Sequence, residues 1–116
     1  MNIYIPSLNK EVIFSIGKNA KNNFDIIDNS EDEDIWFHLN ERPSRHVVAH
    51  ISKLGKLNKK QMHQVVKQGS LLCRRLSTRK RRHSSKREEV IYTQIKNVVK
   101  TNILGTVTTK TYKIYL

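Results

Sequence analysis

N-K-K-Q-M-H-Q-V-V-K-Q-G-S-L-L-C-R-R-L, residues 58–76, is the stretch that decides the fold. Met62, Val65, Val66, Gly69, Leu72, Cys73 and Leu76 fall at offsets 0, 3, 4, 7, 10, 11 and 14, a single apolar stripe at helical period. Lys60, Lys67, Arg74 and Arg75 hold the opposite face. Asn58, with Gln61 three residues on, is a variant of the capping box, which satisfies amide donors that a helix start leaves open. The spacing predicts one long amphipathic helix beginning near Asn58, whose stripe needs another layer to cover it.

Working outward, the other apolar runs are short, β-branched and aromatic. Residues 3–5 and 12–16 flank a polar turn and read as a hairpin. Residues 17–20 break the pattern, and one helical turn is expected through Asn23. Residues 28–34 form an acidic loop. Residues 35–39 and 46–51 read as a strand pair around Pro43. Residues 90–93, 95–99 and 106–116 read as further strands, the last with a turn near Lys110. One long helix against six or seven strands predicts an α+β fold with a largely antiparallel sheet. The 116 residues, without repeat or Gly/Ser-rich linker, make one domain, 1–116, in which 77–88 is a basic loop.

The net charge is +12, from 22 Lys plus Arg against 10 Asp plus Glu. It is unevenly placed. Residues 1–41 carry eight acids and three bases, a net −5, and residues 42–116 carry two acids and nineteen bases, a net +17. A field of that size draws polyanions, nucleic acid before an anionic membrane surface. At 37% apolar residues the chain is too hydrophobic for full disorder. No apolar run approaches the ~20 residues of a membrane span, and the start has no basic segment leading into an apolar one. The one cysteine, Cys73, excludes an internal disulfide and a multi-cysteine zinc site, and fits a reducing compartment. The expected address is intracellular, the cytoplasm before the nucleus.

Arg74, Arg75, Arg79, Lys80, Arg81, Arg82, Lys86 and Arg87 place eight cations in fourteen residues. Guanidinium forks at this density displace condensed counterions from phosphates. No aromatic residue is interleaved, so the run predicts backbone contact rather than base reading. A nuclear-import signal and an idle charged loop are the other readings of the same run. His38 and His46 stand near the ends of two neighbouring strands, with Asp34 close in sequence. Such a set could bind a metal or act as an acid–base pair on a phosphodiester, or serve only as buried structural imidazoles. In the strand 35–39 alternate residues face opposite ways, so either Trp36 or Phe37 faces the core, with Trp36 preferred. Cys73, on the apolar stripe, is read as a small buried hydrophobe.

Several segments then coincide in order: G-K-N-A-K-N-N (17–23), D-I-W-F-H (34–38), P-S-R-H-V-V (43–48), the helix, and V-I-Y-T-x-x-K-x-V-x-K (90–100). Together they resemble the NFACT-R domain, the RNA-binding module at the C-terminal side of ribosome quality-control NFACT proteins. The resemblance spans about residues 3–116. It implies a small, curved, mostly antiparallel sheet with one long helix, and binding rather than catalysis. In relatives the domain helps hold tRNA on the large ribosomal subunit. The matching positions are Gly17, Asn19, Asn23, Asp34, Trp36, His38, Pro43, His46, Thr93 and Lys96. Two departures stand out. The usual P-G-S-H is Pro43-Ser44-Arg45-His46 here, with a serine where the turn glycine stands, and a Lys-Pro-rich stretch is replaced by residues 101–104. The other NFACT domains are absent from these 116 residues.

The combined expectation is an RNA-binding module, for tRNA or rRNA and with the large ribosomal subunit as a partner, with no cofactor, metal or catalytic residue. Its phosphate face would comprise Lys18, Arg42, Arg45, Lys96, Lys100 and the run from Arg74 to Arg87, with Asn19, Asn23, His38 and His46 at or bracing it. The rivals are a protein-interaction adaptor without RNA affinity and a small His-dependent phosphodiesterase.

Overall fold

A computed structural model describes residues 1–77 and 88–116. Arg79, Lys80, Arg81, Arg82, Lys86 and Arg87 lie outside the described residues, as does nearly all of the expected basic loop. The elements are β1 (Asn2–Ile5), β2 (Lys10–Ile16), α1 (Ala20–Asp28), β3 (Ile35–Leu39), β4 (Val47–His50), α2 (Lys59–Ser77), β5 (Val90–Gln94), β6 (Val98–Lys100), β7 (Val107–Thr109) and β8 (Lys113–Tyr115). Single 3-10 turns lie at Ser52–Leu54 and Ile95–Asn97. Six strands form one open sheet in the order β1-β2-β4-β3-β5-β8, every neighbour antiparallel, and β6 and β7 pair apart from it. The fold is α+β, with two α-helices among the described residues, one of them long.

α2 lies on one face of the sheet, and its stripe is the predicted one: Val65, Val66, Leu72 and Cys73 are buried, with Met62 and Leu76 at its ends. The capping box forms reciprocally. Asn58 Oδ1 accepts from the Gln61 amide at 2.8 Å, and Gln61 Oε1 accepts from the Asn58 amide at 3.0 Å. Gly69 has a packing role in mid-helix. A Cβ there would sit 2.3 Å from Cζ of Phe37, so the glycine is what lets the Phe37 ring reach the helix backbone. Phe37 is fully buried, worth roughly 2–3 kcal/mol by area transfer. Ile35, Leu39, Phe14, Val47, Ala49 and Val90 complete this layer.

The second face carries Trp36, Val48, Ile95 and Ile27 of α1 as a smaller core. Trp36 and Phe37 are therefore both buried, one in each layer, which corrects the expectation that only one of them would be. α1 is the second correction: nine residues stand where one turn was expected, and Asp28 is helical rather than part of the acidic loop. Its start is fixed by Asn19, whose Oδ1 accepts from the Asn22 amide at 2.8 Å. The expected strand 95–99 divides into a 3-10 turn and β6. The expected 106–116 strand does break near Lys110, but its halves join different sheets.

Candidate nucleic-acid interface

Three loops meet on the α1 side of the sheet. The first, residues 17–19, enters α1. Gly17 is buried, and a Cβ there would stand 1.7 Å from Oδ1 of Asn23, so the glycine makes room for that side chain. The second joins β3 to β4. Its positive φ, +59°, falls on Glu41, and Ser44 keeps a negative φ. The serine in P-S-R-H thus meets no left-handed demand. Its hydroxyl accepts from the Leu39 amide at 3.0 Å and donates to the Arg45 carbonyl at 3.2 Å, tying the loop to β3. The third precedes β7. Gly105 has φ +80°, and a Cβ on it would lie 2.7 Å from Cα of Ala20, so this loop rests directly on the first turn of α1.

Between the loops lie two adjoining cavities with Asn23, Pro43, Ser44 and Gly105 in their common wall. One, of about 500 Å³, is lined by Trp36, His38, Glu41, Arg42 and His46. The other, of about 400 Å³, is lined by Lys18, Asn19, Arg45 and Leu76. The groove thus brings together Lys18, Asn19, Asn23, His38, Arg42, Arg45 and His46 out of the sequence-derived set.

Two imidazoles dominate its floor. Indole Nε1–H of Trp36 donates to Nδ1 of His46 at 3.1 Å in a buried pair. An indole nitrogen only donates, so Nδ1 of His46 is bare and the proton of the neutral ring sits on Nε2. His38 Nδ1 lies 2.7 Å from the Leu39 carbonyl, which only accepts. That nitrogen carries the proton, and Nε2 of His38 is the bare one. The rings meet edge to face, centroids 5.1 Å apart, and Trp36 stacks on His38 at 5.6 Å. Burial disfavours the imidazolium at both. It lowers His38 below its ordinary range and, with His38 adding charge repulsion, takes His46 to about 4. Asn23 Oδ1 is buried without a hydrogen-bond partner in the same wall.

Asp34 does not join the two histidines. It stands at the other end of β3, where Oδ1 accepts from Ile51 N, Ser52 N and Ser52 Oγ, and Oδ2 accepts from the Glu31 amide. His50 Nδ1 lies 3.2 Å from Oδ2, and its Nε2 lies 2.6 Å from Ser15 Oγ. Burial alone would raise the Asp34 carboxyl, but these hydrogen bonds outweigh it and hold it below the ordinary value. Asp34 pins the entry to β3 to the exit of β4. Sequence reading missed the Ser15–His50–Asp34 chain; nothing in the spacing of 15, 34 and 50 signals it before β2, β3 and β4 are placed side by side. Among the described residues, no three His, Cys, Asp or Glu side chains cluster closely enough to hold a metal ion.

The remaining cations are dispersed. Lys96 pairs with Glu33 at 3.3 Å. Lys100 pairs with Asp28 and stands over the Phe24 ring. Asp28 closes α1, about 12 Å along the helix from the Ala20 end that Gly105 touches. Both lysines are thus paired with acidic residues and neither lines the two cavities, although Lys100 stands across the β6–β7 pair from Val107, which does. Arg74 donates to the Glu88 carbonyl at 2.7 Å and covers the Tyr115 ring; Arg75 is exposed. Leu76 lines the second cavity, and Glu88 pairs with Arg42 of the first. Leu76 and Glu88, on either side of residues 78–87, therefore both stand at the groove. Thr93 is buried and accepts from Asn97 Nδ2 at 3.0 Å, a structural role.

A comparison with protein-family models gives no match, and no curated protein sequence matches. Among solved structures, the C-terminal part of the fibronectin/fibrinogen-binding protein of Streptococcus suis is similar, with a TM-score of 0.70 and 25% sequence identity. The alignment covers 90% of this chain and 39% of that one, so the chain spans about two fifths of its neighbour. Among the described residues, no helix is long and apolar enough to cross a membrane.

Proposed function

We propose that this chain is a nucleic-acid-binding module of the NFACT-R kind, taking RNA into the groove between α1, the β3–β4 loop and the loop before β7. One observation carries the reading: Lys18, Arg42 and Arg45 rim a groove at which Leu76 and Glu88, on either side of residues 78–87, also stand. Phosphates meet the rim cations, and a guanidinium has five donors, so Arg42 can hold Glu88 and a phosphate together. The run at 79–87 adds sequence-independent contact. A tRNA or rRNA, and through it the large ribosomal subunit, is the partner that the resemblance to the NFACT-R domain implies.

The test is titration of a tRNA and of a single strand at two ionic strengths. Three neutralised phosphates give a log–log salt slope of about −2 to −3, and the arginine run steepens it. Arg79, Arg81 and Arg82 changed together to Ala weaken binding across sequences while the unfolding midpoint stays in place. A flat salt response, or no binding at low salt, refutes the reading.

A second reading, a protein-interaction adaptor, is favoured by the neighbour described as binding fibronectin and fibrinogen. Beside the groove, Ile103 and Leu104 are 64% and 57% exposed, apolar surface that suits a protein partner. Pull-down after ribonuclease treatment separates the two: an adaptor keeps its partner, and an RNA binder loses it.

A further inference from the structure

We propose that His38 and His46 together read the 2′-hydroxyl of a ribonucleotide, so that the groove distinguishes RNA from DNA by hydrogen-bond pattern rather than by charge. This rests on the nucleic-acid reading above and adds to it a named group and named atoms.

The two rings offer opposite polarity. Because Nδ1 of His46 is taken by the Trp36 indole, its Nε2–H is a donor. Because Nδ1 of His38 is committed to the Leu39 carbonyl, its Nε2 is an acceptor. Neither Nε2 has a hydrogen-bond partner among the described residues. Both residues line the same cavity of about 500 Å³, edge to face with centroids 5.1 Å apart. A ligand atom that accepts from one nitrogen and donates to the other matches this pair. A phosphate oxygen only accepts, and a deoxyribose carbon does neither. A hydroxyl does both, and the 2′-hydroxyl is the group that marks RNA. On this reading the phosphates of the strand meet the rim cations Arg42, Lys18 and Arg45, and a sugar lies over the imidazoles. Glu41, on the same cavity, further disfavours a phosphate at its floor.

The experiment compares three single strands of one sequence by fluorescence anisotropy: ribo, deoxyribo and 2′-O-methyl. Two hydrogen bonds to one hydroxyl give RNA a preference over DNA of about tenfold. Methylation removes the donor half and lowers affinity toward that of DNA. The ratio stays constant across salt, since the hydroxyl is neutral, while both affinities fall together. In His38→Phe, which keeps an aromatic ring beside Trp36 and removes the acceptor, the RNA-to-DNA ratio moves toward one. Equal binding of all three strands by the wild-type chain overturns the hydroxyl reading and leaves nucleic-acid binding standing. An unchanged ratio in His38→Phe, in a chain whose unfolding midpoint shows it folded, also overturns it. Failure of every strand to bind at low salt overturns the proposed function itself.

Discussion

Acidification tests the buried imidazole directly. His46 is 2% exposed, its Nδ1 accepts from Trp36, and its ring protonates at about 4 against an ordinary value of 6.5. Between those values the unfolded chain takes up a proton that the native chain refuses. Stability is therefore complete above about pH 6.5 and falls as the pH is lowered through the window toward 4. A difference of about 2.5 pH units at 1.36 kcal/mol each amounts to about 3 kcal/mol, of which about 2 kcal/mol is already lost by pH 5. That is a large part of a total that for such domains runs ~5–15 kcal/mol. His38 shifts in the same direction. Asp34, held below its ordinary value, acts only at lower pH: its stabilisation is present above 3.8 and fades beneath. Urea unfolding at pH 7, 6 and 5 measures the loss. Ring-nitrogen resonances of His46 report its midpoint and show which nitrogen carries the proton. A midpoint above 6, a proton on Nδ1 at neutral pH, or equal stability at pH 7 and 5 refutes the assignment.

Two further substitutions probe the frame of the site. Gly69→Ala places a Cβ 2.3 Å from the buried Phe37 ring, so overpacking of ~1–3 kcal/mol outweighs a helix-propensity gain of up to about 1 kcal/mol; urea melts show net destabilisation, partly restored in Gly69→Ala with Phe37→Leu. Glu41→Gly removes a left-handed backbone penalty at φ +59° and a negative charge from the groove, so stability rises by up to about 1 kcal/mol and RNA binding tightens at low salt. Weaker binding on that change would contradict a phosphate-facing rim.

The long helix was readable because three signals agreed. Period, cap and polar face over 58–76 all pointed one way, and even Gly69 fell on the stripe at the position where Phe37 needs space. α1 was not readable. Its sequence, A-K-N-N-F-D-I-I-D, has asparagines and adjacent isoleucines of modest helix propensity, and it persists because Ile27 docks on Trp36, Val48 and Ile95. From one strand Trp36 and Phe37 are alternatives, because a sheet covered on both faces cannot be inferred from it. Closeness in sequence groups Asp34 with His38, yet four residues of strand are about 13 Å, and the carboxylate serves β4 at the far end. The groove was only partly legible. Strand-end positions pointed to His38 and His46, and the order of motifs to Lys18, Asn19 and Asn23. Nothing local foretold that the Gly105 loop would rest on Ala20 and close the wall.

The two faces of the sheet follow different rules, and the difference produces the site. Under α2, apolar volume decides everything, and any polar group there would lose its water without compensation. On the other face, nine residues of α1 cover Trp36 and Val48 but leave His38, Thr106 and Val107 bordering open volume. Trp36 cannot be buried there unless its indole N–H finds an acceptor, and His46 Nδ1 is that acceptor. The requirement that satisfies the tryptophan therefore dictates the tautomer of His46, just as the Leu39 carbonyl dictates that of His38. Replacing Trp36 by Phe keeps the ring and releases the proton position of His46. The cavity then loses its fixed donor and widens by the part of the indole that Phe lacks, while its charge stays constant. In the scheme proposed above, that change lowers the RNA-to-DNA ratio without altering the salt slope, an outcome that neither a purely electrostatic groove nor a purely structural tryptophan produces.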